Sequence, residues 1–302
     1  MASEKNKSEL NLSVPDTKSF ASSQYLHYRI THELSRVEKV PEFKRILEKF
    51  AQHERKDFEF WKQFSSDKSF FVSPIKLFFL KILRRILGLT FLVKYLERQE
   101  EELIGKYTSF LEKVIDPVIK TKIKKAIAHE IKNEKELINQ IKEERVEFIS
   151  SIILGINDGL IELTGALVGF SFALQQNGLI ALTGFITGIA ASLSMASSAY
   201  MQAQYEKGKA AGKAALYTGV AYLFVVLSLV SPFVLTSSTH LALGMLFFVV
   251  LVIISSISYY TSILFFRPFR KQFFKMMTFT LGVALVTFLL GMILRVVFGI
   301  YV

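Results

Sequence analysis

The chain has no cysteine and a single tryptophan, and its second half is nearly without acid. Without cysteine there is no disulfide framework, no thiolate metal site and no cysteine nucleophile. Residues 148–302 contain three Asp+Glu and eight Lys+Arg, against 23 and 29 in residues 1–147. The molecule therefore divides into a charged half and an apolar half. Both halves are net positive, yet charge as sparse as that of the second half argues for a membrane and against nucleic acid. The opening MASEKNKSELNLSVPDTKS has no apolar core. That argues against a secretory signal and predicts a disordered polar tail over residues 1–20.

With 51% hydrophobic residues, the chain has material for several membrane spans. A spanning helix needs roughly 20 mostly apolar residues, and five stretches qualify, near 148–175, 178–203, 214–235, 240–264 and 276–299. The connections set the orientation. The first (QQNG) and third (TSSTH) carry no Lys or Arg, while the second holds Lys207, Lys209 and Lys213 and the fourth holds Arg267, Arg270, Lys271 and Lys275. All basic connections fall on one side, which the positive-inside rule makes cytoplasmic. The charged half is then cytoplasmic as well, and the expected fold is all-α: a helical domain over 21–147 followed by a five-span domain over 148–302.

Two carboxylates stand inside the first span, in GINDGLIELTGALVG. Asp158 lies about ten residues, or roughly 15 Å, from the helix start, and Glu162 follows one turn later on the same face. An ionised carboxylate in hydrocarbon costs about 3 kcal/mol or more, so such acids mark ion or proton paths unless they are paired structurally. The second span ends in SLSMASSAYMQAQYEKGKA, where helical spacing aligns Met195, Ala199, Gln202 and Glu206. A thioether within a helix ordinarily packs. Beside two carboxylates it becomes a soft donor, and the set suits a divalent transition ion such as Fe²⁺ or Mn²⁺. Glycines spaced by four in these two spans allow close helix contact.

NDGLIELTGALVG, ITGIAASLSMA and the five spans together resemble the vacuolar iron transporter family over residues 145–302. The charged half ahead of them resembles the subgroup with a fused rubrerythrin-like, ferritin-like domain. The resemblance implies a homodimeric transporter, not an enzyme, that exchanges Fe²⁺ or Mn²⁺ for protons and carries the ion out of the cytoplasm, with no organic cofactor. In a prokaryote the membrane would be the plasma membrane. Asp158, Glu162 and Met195 fall on the family's metal-pathway positions. One position departs: the Glu that commonly precedes the Tyr after SMA is Ala199 here, with Gln202 and Glu206 one and two turns further on.

In the charged half, helices are expected over 22–39, 42–65, 90–113 and 117–146. A ferritin-like four-helix bundle holds two metals with a Glu from each of two helices and Glu-x-x-His on the other two. Here Glu54 is followed at i+3 by Asp57 and Glu130 by Asn133, so both histidine positions are replaced. Glu97 and Glu100 have ligand spacing, while Gln24 and His27 stand where the subgroup shows Glu. This set predicts a metal-binding or regulatory bundle with little ferroxidase chemistry. His53 and His129 each precede their Glu and point about 100° away from it. Residues 74–96 are apolar but interrupted by Lys81, Arg84, Arg85 and Lys94, the pattern of an amphipathic helix lying on an anionic leaflet. Two other functions remain open from the sequence: a membrane-tethered ferritin-like oxidase or store, and a transport-inactive scaffold or sensor.

Overall fold

The computed structural model describes residues 14–65, 69–113, 148–206 and 210–297, with isolated positions between 117 and 128. Its elements are helices: α1 Val14–Val37, α2 Pro41–Lys62, α3 Pro74–Leu87, α4 Leu89–Lys113, α5 Ile149–Leu174, α6 Asn177–Tyr205, α7 Ala211–Leu235, α8 Thr239–Leu264 and α9 Phe269–Val297. They belong to two compact units, Met1–Glu143 and Glu144–Val302.

In the first unit, α1, α2 and α4 present apolar residues at both ends and polar ones in the middle. Along α1 the buried order is Phe20, Ala21, then Gln24 and His27, then Ile30 and Leu34. Along α2 it runs the other way, from Ile46, Leu47 and Phe50 through Glu54 to Phe58 and Trp61. Helix α4 follows α2, from Leu89, Leu92, Val93 and Leu96 through Glu97 and Glu100 to Leu103, Tyr107 and Phe110. Ile30, Phe50 and Leu92 share one apolar cluster, whereas Phe20, Trp61 and Tyr107 share a second. Helix α1 is thus antiparallel to α2 and α4, and a polar layer is held between two apolar layers. Burying a large apolar side chain stabilises by about 1.5–3 kcal/mol, which offsets part of the cost of the polar layer.

Two expectations are corrected here. Residues 14–20 are not part of a disordered tail but open α1, because Phe20 inserts edge-on against Trp61 and Tyr107, with ring centroids 4.9 and 4.5 Å away. Nor is 74–96 one amphipathic helix. Gly88 adopts φ 94°, a left-handed conformation that only glycine takes without strain, and the chain restarts as α4 with Leu89, Phe91 and Leu92 in the core. The amphipathic part is α3, which exposes Ile75, Phe78, Phe79 and Ile86. It is tied to α1 by Lys81 Nζ on Glu33 Oε2 at 3.0 Å, and to the residue just after α1 by an ion pair between Arg84 and Glu38. The fourth expected bundle helix, with Glu130, Asn133 and His129, lies outside the described residues.

In the second unit, α5 to α9 are long and apolar enough to cross a membrane. Their bounds follow the expected spans to within a turn except at α9, which begins at Phe269 rather than 276. Its first turns carry Arg270, Lys271 and Lys275, so the helix extends past the apolar run into the interfacial zone. Helix α7 packs on α5 and α6, and α9 packs on α5. A Cβ on Gly155 would collide with the backbone oxygen of Thr218, and one on Gly188 would lie 2.5 Å from Val226. These glycines allow α5 and α6 to approach α7 closely. At the uncharged ends, Asn177 Nδ2 donates to the Thr236 carbonyl at 2.5 Å and its Oδ1 accepts from Thr239 at 2.7 Å.

Candidate functional site

Helix α5 spends two of its faces on packing: Gly155 and Gly159 meet α7, and Gly165 meets Val283 and Thr287 of α9. Leu154, Asp158 and Glu162 share a third stripe. Within one chain Asp158 is half-buried, and Leu154 and Glu162 are exposed. The buried Tyr222 of α7 reaches this stripe, its hydroxyl donating to Glu162 Oε2 at 2.8 Å. Tyr222 is a partner of Glu162 that the sequence did not reveal, because a tyrosine within an apolar span carries no signal until its hydroxyl is placed.

Residues 149–212 match the VIT family. The match covers α5, α6 and the start of α7, and so includes Asp158, Glu162 and Met195. It supports the resemblance to the vacuolar iron transporter family and points to metal-ion transport by an integral membrane protein, a transporter class rather than an enzyme class. Neither the first unit nor α8 and α9 fall within the VIT-matched segment. No curated protein and no solved structure matches the chain.

Along the VIT-matched part of α6, Met195 is partly buried and packs against the apolar core of the spans. Ala199, one turn on, is 6% exposed, so the position where the resemblance implies a Glu is packed. Gln202 and Glu206 are exposed and bonded to each other, Nε2 to Oε1 at 3.2 Å.

The polar layer of the first unit is the second place where acids gather. His27, Glu54 and Glu100 are buried and each offers a ligand atom, all within 4.8 Å of one another. His27 Nδ1 and Glu100 Oε1 are 2.6 Å apart. Asp57 lies beside them, and its carboxyl is pushed up to about 7 by burial and then by the charge of Glu100. Its Oδ2 is buried without a hydrogen bond among the described residues, and His53 Nε2 stands 4.0 Å away. Gln24, fully buried, donates to the Tyr107 hydroxyl at 3.3 Å. Glu97 is buried one turn before Glu100 but outside the three-residue cluster.

The sequence ranked these positions differently. His27 was read as a lost carboxylate, yet it brings an imidazole to the centre of the layer. One nitrogen and several carboxylate oxygens suit a first-row divalent ion, and a raised Asp57 carboxyl with an unbonded oxygen is what a buried cation would ionise. The residues present therefore fit a metal.

Proposed function

We propose that this chain is a divalent-metal transporter that moves Fe²⁺ or Mn²⁺ out of the cytoplasm in exchange for protons, working as a homodimer. The observation that carries this reading is the exposed carboxylate of Glu162 on a span, one turn from Asp158. An acid facing lipid costs about 3 kcal/mol or more, whereas an acid facing a second copy across a polar seam can hold a cation. Closing the open stripe of α5 against its counterpart doubles the acids along one path. Asp158 and Glu162 then neutralise the ion and exchange protons as it passes, and Tyr222 orients Glu162 through its hydroxyl. Met195 supplies a soft donor that biases the path towards transition ions. Gln202 and Glu206 are assigned to capture at the basic, cytoplasmic end, in place of the acid missing at Ala199.

The polar layer of the first unit serves as a resident metal site. His27, Glu54 and Glu100 would hold the ion, with Asp57 losing its proton on binding. A bound divalent ion there supplies charge and a fixed geometry to three helices, a means of sensing the metal that the spans export. Glu97 and Gln24 complete the polar layer around it, and Glu130, a ligand candidate of the sequence pattern, lies outside the described residues.

Uptake into proteoliposomes of Fe²⁺, Mn²⁺, Co²⁺ and Zn²⁺ in turn, with and without a pH gradient, tests the transport reading. Uptake of a divalent ion that is accelerated by an opposing proton gradient supports it, and no uptake under any gradient contradicts it. The imidazole at the centre of the bundle favours a second reading, a membrane-tethered ferritin-like oxidase. Exposing the Fe²⁺-loaded protein to oxygen separates the two: rapid oxidation that depends on His27 and Glu54, without flux, selects the oxidase.

A further inference from the structure

At the basic end of the spans, α5, α8 and α9 enclose a cavity of about 400 Å³. Its lining combines basic, amide and apolar side chains. Arg267, in the connection between α8 and α9, and Lys275, in the second turn of α9, line it together with the amide of Gln272. Asn157 of α5 and apolar walls that include Ile257 and Phe279 complete the lining. Among the described residues neither Arg267 nor Lys275 forms an ion pair, and α8 and α9 contribute no Asp or Glu between 239 and 297.

The turn that carries Arg267 is fixed. Phe266 sits at φ 51°, a left-handed conformation unusual for an aromatic residue. The Arg267 amide donates back to the Ser262 carbonyl at 3.1 Å, and Phe265 to Thr261 at 3.0 Å. Such a helix ending sets the direction of the next side chain. A guanidinium and an ammonium lining one cavity with apolar walls match a phosphate diester attached to hydrocarbon chains.

The geometry points to a binding site for an anionic phospholipid in this cavity, with the headgroup phosphate between Arg267 and Lys275, hydrogen bonds from Gln272 and Asn157, and the first methylenes of a chain against Ile257 and Phe279. Basic pockets between membrane helices on the cytoplasmic side take lipid headgroups in this way. The site is independent of Asp158 and Glu162, and it holds whether or not the protein transports.

Full-length protein stripped of lipid and titrated by native mass spectrometry tests the site with three probes: phosphatidylglycerol, phosphatidylcholine and inorganic phosphate. Phosphatidylglycerol is expected to bind roughly tenfold more tightly than phosphatidylcholine, and inorganic phosphate not to displace it. Arg267→Gln with Lys275→Gln should lose about tenfold for phosphatidylglycerol alone, whereas the charge-keeping pair Arg267→Lys with Lys275→Arg retains it. Arg270→Gln with Lys271→Gln, on the same connection but outside the lining, is the control. Equal losses for both neutralised pairs would mean diffuse surface charge and overturn the site. Displacement by inorganic phosphate would identify a soluble anion instead, and a disulfide between copies carrying Phe279→Cys would show that a second copy fills the cavity; either result overturns the proposal. Should the neutralised pair fail to fold, Phe279→Trp, which fills the cavity without changing charge, should lose the phosphatidylglycerol preference, and a preference retained there, or absent from the unmodified protein, overturns the proposal.

Discussion

In the first unit, Glu54 and Glu100 are buried beside His27 with donor atoms within 4.8 Å of one another, whereas in the second unit Glu162 is exposed on its own helix and held by a single Tyr222 hydroxyl. The bundle brings three helices of one chain around its acids. The spans leave theirs on an open flank. A buried cluster can be filled by an ion without any second molecule, but an exposed acid on a membrane helix needs a partner surface or a cavity. The same residue type is therefore read as a resident site in one unit and as half of a path in the other.

The sharpest way to separate the two is to remove the bundle ligands. His27→Ala or Glu54→Gln should lower divalent-metal affinity of the first unit by at least about a hundredfold, as measured by anaerobic titration of the full-length protein, and should leave flux through the spans measurable. Flux lost in step with bundle binding would mean that the two sites are one pathway. Next in size is Gly155→Ala. Its new methyl group meets the Thr218 carbonyl, and overpacking of this kind costs about 1–3 kcal/mol. A lower melting temperature of the spans is expected, with the first unit unchanged by Trp61 fluorescence, since Trp61 is the only tryptophan and is buried in the bundle.

Tyr222→Phe removes one hydrogen bond to a carboxylate, worth about 1.5–3 kcal/mol, and should slow flux roughly tenfold while metal binding to the bundle stays the same. Unaltered flux would detach Tyr222 from the path. The smallest effect concerns Asp57 in the metal-free protein. Its carboxyl is raised from 3.8 to about 7, so the folded state holds this proton more tightly than the unfolded state. The resulting stability is present below pH 4 and is lost as pH rises through about 7. Asp57→Asn should flatten that decline, as read from Trp61 fluorescence across pH 4 to 8, and an unchanged slope would show that Asp57 is not the group responsible.

The five spans were legible because the length of an apolar run is a direct physical requirement of the bilayer, and α5 and α8 end close to where their runs end. Asp158 and Glu162 stand out for the same reason, as acids within an apolar run, and their role belongs to the proposed function. The start of α9 was not legible, since helix geometry continues through Arg270 and Lys271 after the apolar run has stopped. Gly88 went unread because one glycine does not interrupt the apolar pattern around it, and only its positive φ shows the break between α3 and α4. The centre of the bundle was misjudged at His27, where spacing along one helix gives residue type but not which neighbours share its layer. Tyr222 needed the packing of α7 on α5, which the glycines at 155 and 159 allow but do not announce.

The central claim is that Asp158 is a ligand on an ion path through the spans. Asp158→Asn keeps the size and hydrogen-bonding capacity of the side chain while removing the charge, and it relieves a desolvation cost, so folding should survive. Flux of Fe²⁺ and Mn²⁺ into liposomes, measured for the wild type and Asp158→Asn at matched reconstitution, is the direct test. The account predicts robust wild-type flux and a collapse to background in the variant; undiminished flux in Asp158→Asn would contradict it.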